Sequence, residues 1–259
     1  MERMERPPSS YFGRRHLGEW GPFGTTVVLA VYVRCLCPPM ASPSSTLPRR
    51  LAEHLATSLP GHAAHRSMAP EVPIRRADLS VHGRDCREAG VLVLLLPQNE
   101  HLAVVLTVRR DHLPDHAGQI SFPGGQREPD ESLATTARRE AKEEVALPPS
   151  HVDLLGRLTP LYIPPSNFCA HPFVGRVASA PTLQPADREV QQVLRVPLSH
   201  LLAPATRKTG TRRLNGTDVA VPYYDVDGHA VWGATAMMLA EFLAIVRTAD
   251  GAPPQYPPQ

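Results

Sequence analysis

The stretch Phe122–Leu147, FPGGQREPDESLATTARREAKEEVAL, decides how the chain is read. It predicts a helix over roughly 131–145, ended by the LPPS that follows. At about 100° per residue, Glu140, Glu143 and Glu144 fall in one strip. Ala134, Ala137, Ala141 and Val145 form the neighbouring strip, which should face the core, while Thr135, Arg138 and Lys142 point to solvent. The carboxylates therefore border the buried face, where a merely solvated charge run would lie opposite it. Their placement is costly. Glu140 and Glu144 are like charges at i, i+4, worth a few tenths of a kcal/mol. All three sit near the helix C-terminus, where the macrodipole disfavours anions by ~0.3–1 kcal/mol each. Arg139, four residues before Glu143, offsets part of this. A hard divalent cation would offset more, and oxygen donors on one strip suit Mg2+ or Mn2+, which keep waters and also bind substrate phosphates. The plainer alternative is an Ala-rich helix with ordinary Glu–Arg surface pairs.

The loop ahead of the helix adds to the metal reading. Pro123-Gly124-Gly125 permits backbone conformations closed to other residues and can bring amides near phosphate oxygens. Glu131 lies nine residues before Glu140, so within a helix it would face the opposite way. Its role comes from the loop folding back, or it is structural.

Taken with their spacing, Gly125, Glu131, Arg139-Glu140, Ala141, Glu143-Glu144, Ala146 and Leu147 resemble the Nudix box. One position departs: Ala146 stands where the box usually has Gly. A left-handed cap there costs Ala ~1 kcal/mol but does not touch the carboxylate strip. The resemblance implies an α/β fold, an α/β/α sandwich around a mixed β-sheet. It also implies hydrolysis of a nucleoside diphosphate linked to another group, with Mg2+ or Mn2+ as cofactor. By the same resemblance Glu140 and Glu144 would be the main metal ligands. Glu143 would be a further ligand or would orient the water, Arg139 would hold the glutamates, and Glu131 joins them as a catalytic candidate. Bound metal would polarise a phosphoryl oxygen, lower the pKa of bound water and neutralise the diphosphate. The general base varies in this family and often lies outside the box; Glu189, in DREVQQVLRVPL, is a candidate, and a charge at a strand edge explains it equally well.

The segment before the box, VLTVRRDHLPDHAGQISFPGG from Val105 to Gly125, resembles the coenzyme A pyrophosphatase branch of that family. It matches at Leu106, Thr107, Arg109, Gly118 and Phe122 to Gly125, and EVQQVLRVPL and VWGATAMMLAEFL extend the likeness. The implied reaction releases 4′-phosphopantetheine, or its acyl form, and adenosine 3′,5′-bisphosphate. Arg109, Arg110, Gly124 and Gly125 are the implied substrate-binding residues. Two positions depart: Arg110 replaces a small residue and Pro114 replaces a second Arg. Coenzyme A carries a 3′-phosphate, for which a guanidinium is the obvious bidentate partner. Arg110 would supply that charge from a shifted position, with His112 and His116 as further donors. Hydrolysis of ADP-ribose, NADH or dinucleoside polyphosphates is the alternative among enzymes. A non-catalytic Nudix-fold binding module is the other, and the intact glutamate strip argues against it.

The rest of the chain frames this site. Its 259 residues suffice for one good-sized domain plus tails. A formal charge of +2, scattered Lys and Arg, and 5% aromatics exclude a nucleic-acid binder built on electrostatics or stacking. Residues 1–45, with Pro pairs and PPMASPSS, are expected to hold little stable structure, and Met40 is a possible true start. The Nudix domain is expected over 46–248 and a disordered tail over 249–259.

Leu51, Leu55 and Leu59, each four apart, predict a helix that stops at Pro60-Gly61. Residues 61–88 read as irregular. AGVLVLLL and HLAVVLTVRR predict a hairpin of buried strands across PQNE. After the glutamate helix come strands over 152–161, 169–177, 193–196 and 219–226, then a helix over 234–246 with an apolar stripe including Met238, Leu239 and Phe242. This order predicts a mixed sheet with helices packed on it.

The four cysteines, Cys35, Cys37, Cys86 and Cys169, read as free thiols in a reducing compartment, since C-x-C has no second pair for zinc. No segment reaches the ~20 apolar residues of a membrane span. A leader peptide at TTVVLAVYV is disfavoured by Arg34 and by the lack of a small-residue cleavage pattern. The expected location is the cytoplasm and the expected partner a small nucleotide substrate, with neither nucleic acid nor membrane and with a possible homodimer.

Overall fold

The computed structural model describes residues 43–57, 59–71, 79–99, 101–110, 118–186, 188–214 and 216–252, with side chains from 46 onward. Residues 1–42 with Met40, Cys35 and Cys37, the residues His112, Pro114 and His116, and most of the C-terminal tail lie outside the described residues.

In chain order the first elements are α1 (Pro43–Leu55), α2 (His62–Arg66), β1 (Arg87–Gln98), β2 (His101–Arg109), β3 (Ile120–Ser121), β4 (Gly124–Gln126) and α3 (Leu133–Val145). Then come β5 (Asp153–Arg157), β6 (Leu161–Ile163), β7 (Phe168–Arg176), β8 (Val190–Pro197) and α4 (Leu198–Leu202). A three-stranded antiparallel sheet follows, β9 (Arg207–Leu214), β10 (Thr217–Val226) and β11 (His229–Val231), before the closing helix α5 (Gly233–Ala249).

The apolar run of β1 is continuous because both faces of its sheet are covered. Leu92, Leu94 and Leu96 pack with Ala137, Ala141, Val145 and Leu147 on the α3 side. The alternate residues Val93 and Leu95 pack with Leu51, Met238 and Phe242 on the side of α1 and α5. β2 divides the same way, Ala103 and Val105 to one side, Val104 and Leu106 to the other. This period of two yields the expected three layers, helix, sheet, helix. The sheet is mixed: β1 runs parallel to β7 and antiparallel to β2 and β4.

The hairpin of β1 and β2 pairs only from Leu95↔Val104 to Gln98↔His101. Beyond that the arms part, and the segment 120–126 fills the wedge. Its first half, β3, pairs with Thr107 and Val108 of β2; its second half, β4, pairs with Ala89, Gly90 and Val91 of β1. The Leu92 amide bonds to the Pro123 carbonyl at 2.8 Å where the segment changes partner. Pro123-Gly124-Gly125, expected as a loop, thus leads from one short strand into another stitched into the sheet.

Other departures have local causes. The glutamate helix starts at Leu133, not 131, because Ser132 caps it by accepting from the Thr135 amide. Arg138 does not point away to solvent; it is half-buried and donates to the Val152 carbonyl at 3.1 Å. Within the supposedly irregular 61–88, α2 forms because His65, buried with Glu241 of α5, anchors it. The Glu241 carboxylate also accepts from the Gly61 amide, the Thr159 amide and the Thr159 hydroxyl. Burial pushes its pKa up, but these bonds and His65 outweigh that and hold it below the ordinary value. The single strand expected over 152–161 divides into β5 and β6.

The thiol reading needs correction. Cys86 and Cys169 form a disulfide, with Cα atoms 5.8 Å apart. Parallel pairing sets Glu88 opposite Cys169 and so delivers Cys86, just before β1, to its partner. The two are 83 residues apart in sequence, which hid the pairing. The argument for a reducing compartment loses its support from these two residues. Among the described residues no helix is long and apolar enough to cross a membrane.

Candidate active site

Helix α3 lies against β1 and β4 through glycines that allow close approach. A Cβ on Gly90 would meet the Leu133 carbonyl at 2.4 Å and the Ala137 nitrogen at 2.8 Å. A Cβ on Gly124 would meet the Gly90 carbonyl oxygen at 2.7 Å, and one on Gly125 would meet the Glu140 carboxylate at 2.3 to 2.7 Å. Neither Gly124 nor Gly125 has a positive φ. The expectation of unusual backbone angles is therefore corrected: the pair serves by lacking side chains. The Gly124 amide is directed at a carboxylate oxygen, donating to Glu144 Oε2 at 3.3 Å.

The three glutamates form the expected strip with graded exposure: Glu144 is 7% exposed, the Glu140 side chain 14% and that of Glu143 55%. Arg139 organises them. Its Nη1 donates to Glu140 Oε1 at 2.9 Å and to Glu143 Oε2 at 3.0 Å. Its other edge grips Glu131, Nε to Oε2 at 3.2 Å and Nη2 to Oε1 at 2.8 Å, and Nη2 also reaches the Gln126 carbonyl. Glu131 precedes the helix, and its Oε1 accepts from the Glu128 amide and the Thr136 hydroxyl. The loop folds back, as one of the two sequence readings required.

These contacts set the protonation pattern. Hydrogen bonding to Arg139 holds the Glu131 carboxyl down at about 2, against a smaller opposing effect of burial. Arg139 is raised above its already high value, chiefly by Glu131. Burial pushes Glu144 up to about 8, with Glu140 and Glu189 adding repulsion and the Gly124 amide and Arg109 opposing. Glu140 is also raised, by burial first, with Arg139 working against it.

The strip opens on a cleft of about 510 Å³. Gly124 to Gln126 form part of its lining, Arg109 of β2 contributes a guanidinium, and the segment after β7 supplies Ala186, Arg188 and Glu189. That segment is docked on the end of α3. The Gln184 amide bonds to the Val145 carbonyl at 3.1 Å and the Ala186 amide to that of Glu144 at 2.9 Å. Ala146, in the left-handed region at φ 57°, and Leu147 cover the Ala141 and Lys142 carbonyls. The negative end of the helix is thus capped by backbone donors, which weakens the macrodipole penalty read from the sequence.

The structure brings together Glu140, Glu143, Glu144, Gly124, Gly125, Arg109 and Glu189, with Arg139 and Glu131 directly behind the glutamates. Arg110, one residue past the end of β2, does not line the cleft, and its amide is tied to the Glu189 carbonyl at 3.0 Å. Arg188 was missed; its only signal is its place beside Glu189 in DREV.

The donor set fits a hard divalent cation. Glu144 is a nearly buried carboxylate whose ionised form has one backbone donor and repulsive neighbours, the state a cation would relieve. Among the described residues no three His, Cys, Asp or Glu side chains already converge as a cage. Arg139 occupies oxygens of Glu140 and Glu143, and Mg2+ needs only one or two carboxylates beside waters and substrate phosphates.

A family model for the NUDIX domain matches residues 87–214. The protein described as "Uncharacterized Nudix hydrolase NudL" in Yersinia pestis is 37% identical over 154 residues, 59% of this chain and 76% of that protein. The protein of the same description in Yersinia pseudotuberculosis matches to the same extent, 37% over 154 residues, again 59% and 76%. Among solved structures, a MutT/nudix family protein from Enterococcus faecalis matches with TM-score 0.43 and 18% identity, covering 68% of this chain and 71% of that one.

Proposed function

The chain belongs to the Nudix hydrolase family, whose members act on nucleoside diphosphate derivatives and generally use divalent metal ions, and from that premise we propose that it hydrolyses the diphosphate bond of coenzyme A or its derivatives. The products would be 4′-phosphopantetheine, or its acyl form, and adenosine 3′,5′-bisphosphate. The observation that carries a hydrolytic reading is the cleft itself, which sets a buried Glu144 beside Glu140, Glu143 and the Arg109 guanidinium. The LTVR and FPGG segments, Leu106–Arg109 and Phe122–Gly125, support coenzyme A as substrate.

In this reading Glu140 and Glu144 would hold Mg2+ or Mn2+, with Glu143 a further ligand or the residue that would orient the attacking water. When bound, the metal supplies charge neutralisation of the diphosphate and a more acidic water. Arg139 fixes Glu140 and Glu143, and Glu131 fixes Arg139, so the carboxylates are set before substrate arrives. Arg109 binds a diphosphate oxygen. Gly125, lacking a side chain, leaves the space that the Glu140 carboxylate fills. Glu189, exposed on the cleft rim, takes the proton from water.

The position of Arg110 favours a second reading, a broader hydrolase of ADP-ribose, NADH or dinucleoside polyphosphates, because one partner for a 3′-phosphate is removed from the cleft. The test is turnover of coenzyme A, dephospho-coenzyme A, ADP-ribose and NADH with Mg2+ and with Mn2+, products identified by mass. Coenzyme A cleaved fastest to the two named products supports the proposal. Turnover of the others alone supports the broader reading, and turnover of none revives a binding module.

A further inference from the structure

Coenzyme A differs from its dephospho form by one phosphate on the ribose, outside the bond that breaks. A protein that tells them apart needs a cation near the cleft that the diphosphate and the glutamates do not consume. Arg109 does not meet that need: it lines the cleft and, in the reading above, binds the diphosphate. Arg139 is consumed by Glu131, Glu140 and Glu143. Arg188 does meet it. It lines the same cleft and is exposed, and no described residue forms a hydrogen bond or ion pair with its side chain.

The backbone beneath Arg188 is held from several directions. The Ala186 amide is bonded to the Glu144 carbonyl at 2.9 Å, and the Ala186 carbonyl takes the amides of Glu189 at 3.2 Å and Val190 at 2.9 Å. The Glu189 carbonyl takes the Arg110 amide at 3.0 Å, linking the turn to the end of β2. The reach of the guanidinium is therefore measured from an anchor fixed to the glutamate helix and to the strand that carries Arg109. A planar guanidinium offers two parallel donors to a phosphate, which an ammonium does not.

We propose that Arg188 reads a phosphate carried outside the scissile diphosphate, so that the preferred substrates are nucleoside diphosphate derivatives with an additional phosphate on the ribose. This rests on the hydrolase reading above and replaces Arg110 as the source of that charge. Arg188 is a specificity residue and takes no part in the bond-breaking step.

Two measurements test it. With Mn2+, the ratio of kcat/KM for coenzyme A to that for dephospho-coenzyme A falls about tenfold in Arg188→Gln, through KM, is partly kept in Arg188→Lys, and is retained in Arg110→Gln. An unchanged ratio in Arg188→Gln, including an equal loss on both substrates, overturns the proposal. Independently of turnover, calorimetry compares adenosine 3′,5′-bisphosphate with AMP. The wild-type protein binds the bisphosphate about tenfold more tightly and Arg188→Gln loses that margin. Equal affinity in the wild type, or a margin that survives the substitution, overturns the proposal even in a protein that hydrolyses nothing. A margin that vanishes in Arg188→Gln sustains Arg188 as the reader of that phosphate, and the turnover ratio decides whether the ligand is a substrate.

Discussion

Glu131 grips Arg139 along the outer edge of the guanidinium, at 2.8 and 3.2 Å, and leaves Nη1 to hold Glu140 and Glu143. The carboxylate that looked misplaced by nine residues is thus the support of the residue that supports the strip. Because Arg139 holds the Glu131 carboxyl at about 2, below its ordinary value of 4.5, the pair's contribution to stability is present above pH 4.5. It is lost as pH falls through about 2. Glu131→Gln is expected to melt at a lower temperature than wild type at pH 7, with the gap closing towards pH 2. Melting curves from pH 2 to 8 check this, and a constant gap would deny the pairing its role.

Glu144 carries the metal prediction. Glu144→Gln is expected to lose about 10²-fold or more in turnover, the size of effect seen for preorganised electrostatic groups, while its circular dichroism stays that of the wild type. Near-normal activity would sink its assignment as a ligand. Saturating Mn2+ or Mg2+ is also expected to raise the melting temperature of the wild type by an amount that grows with the logarithm of metal concentration. In Glu140→Gln and Glu144→Gln that rise should shrink or vanish, and a full shift in both variants would place the cation elsewhere.

Gly125 gives a prediction from space alone. A methyl there would fall 2.3 to 2.7 Å from the Glu140 carboxylate. Gly125→Ala is expected to displace that side chain and to cost about tenfold or more in turnover, with a much smaller effect on melting, since a 1 Å misplacement near the chemistry is enough for losses of that order. A fully active Gly125→Ala would mean that Glu140 moves freely without cost.

At Ala146 the expected change is a gain. The residue holds a left-handed cap at φ 57°, ψ 30°, with its amide and that of Leu147 bonded to helix carbonyls. Ala146→Gly removes the Cβ strain and is expected to stabilise by about 1 kcal/mol, raising the melting temperature by roughly 2–4 °C for a domain of this size. A loss of stability would show that the entropy of the added glycine exceeds the strain it relieves.

The parts of the fold legible in the sequence are those whose burial leaves a period. The hairpin of β1 and β2 is a pair of apolar runs, and α3 shows its Ala137, Ala141 and Val145 stripe against both strands. The strand Arg207–Leu214 was invisible because RKTGTRRL is exposed or half-exposed along its whole length and carries no alternation, and His229–Val231 is too short to carry one. The glutamate strip was legible because it violated local electrostatics. The grip of Glu131 on Arg139 was not, since it depends on where Ser132 starts the helix. Arg188 was hidden for the opposite reason: an exposed arginine breaks no rule, and only the docking of Gln184 and Ala186 on the end of α3 makes its position informative.

The Cys86–Cys169 bond has a topological consequence. It closes a covalent ring across a separation of 83 residues, and that ring contains Arg109, Gly124, Gly125, Glu131, Arg139 and all three glutamates. Arg188 and Glu189 lie outside it. In the chain-entropy picture a loop of this length restricts the unfolded chain by about 4–5 kcal/mol. The residues that would hold metal all lie within the restricted loop. The half that would sort one nucleotide from another lies outside the ring and is joined to it by the amides of Gln184 and Ala186 on the end of α3, by the pairing of β8 with β2 and by core packing of Leu183, Val193 and Leu194.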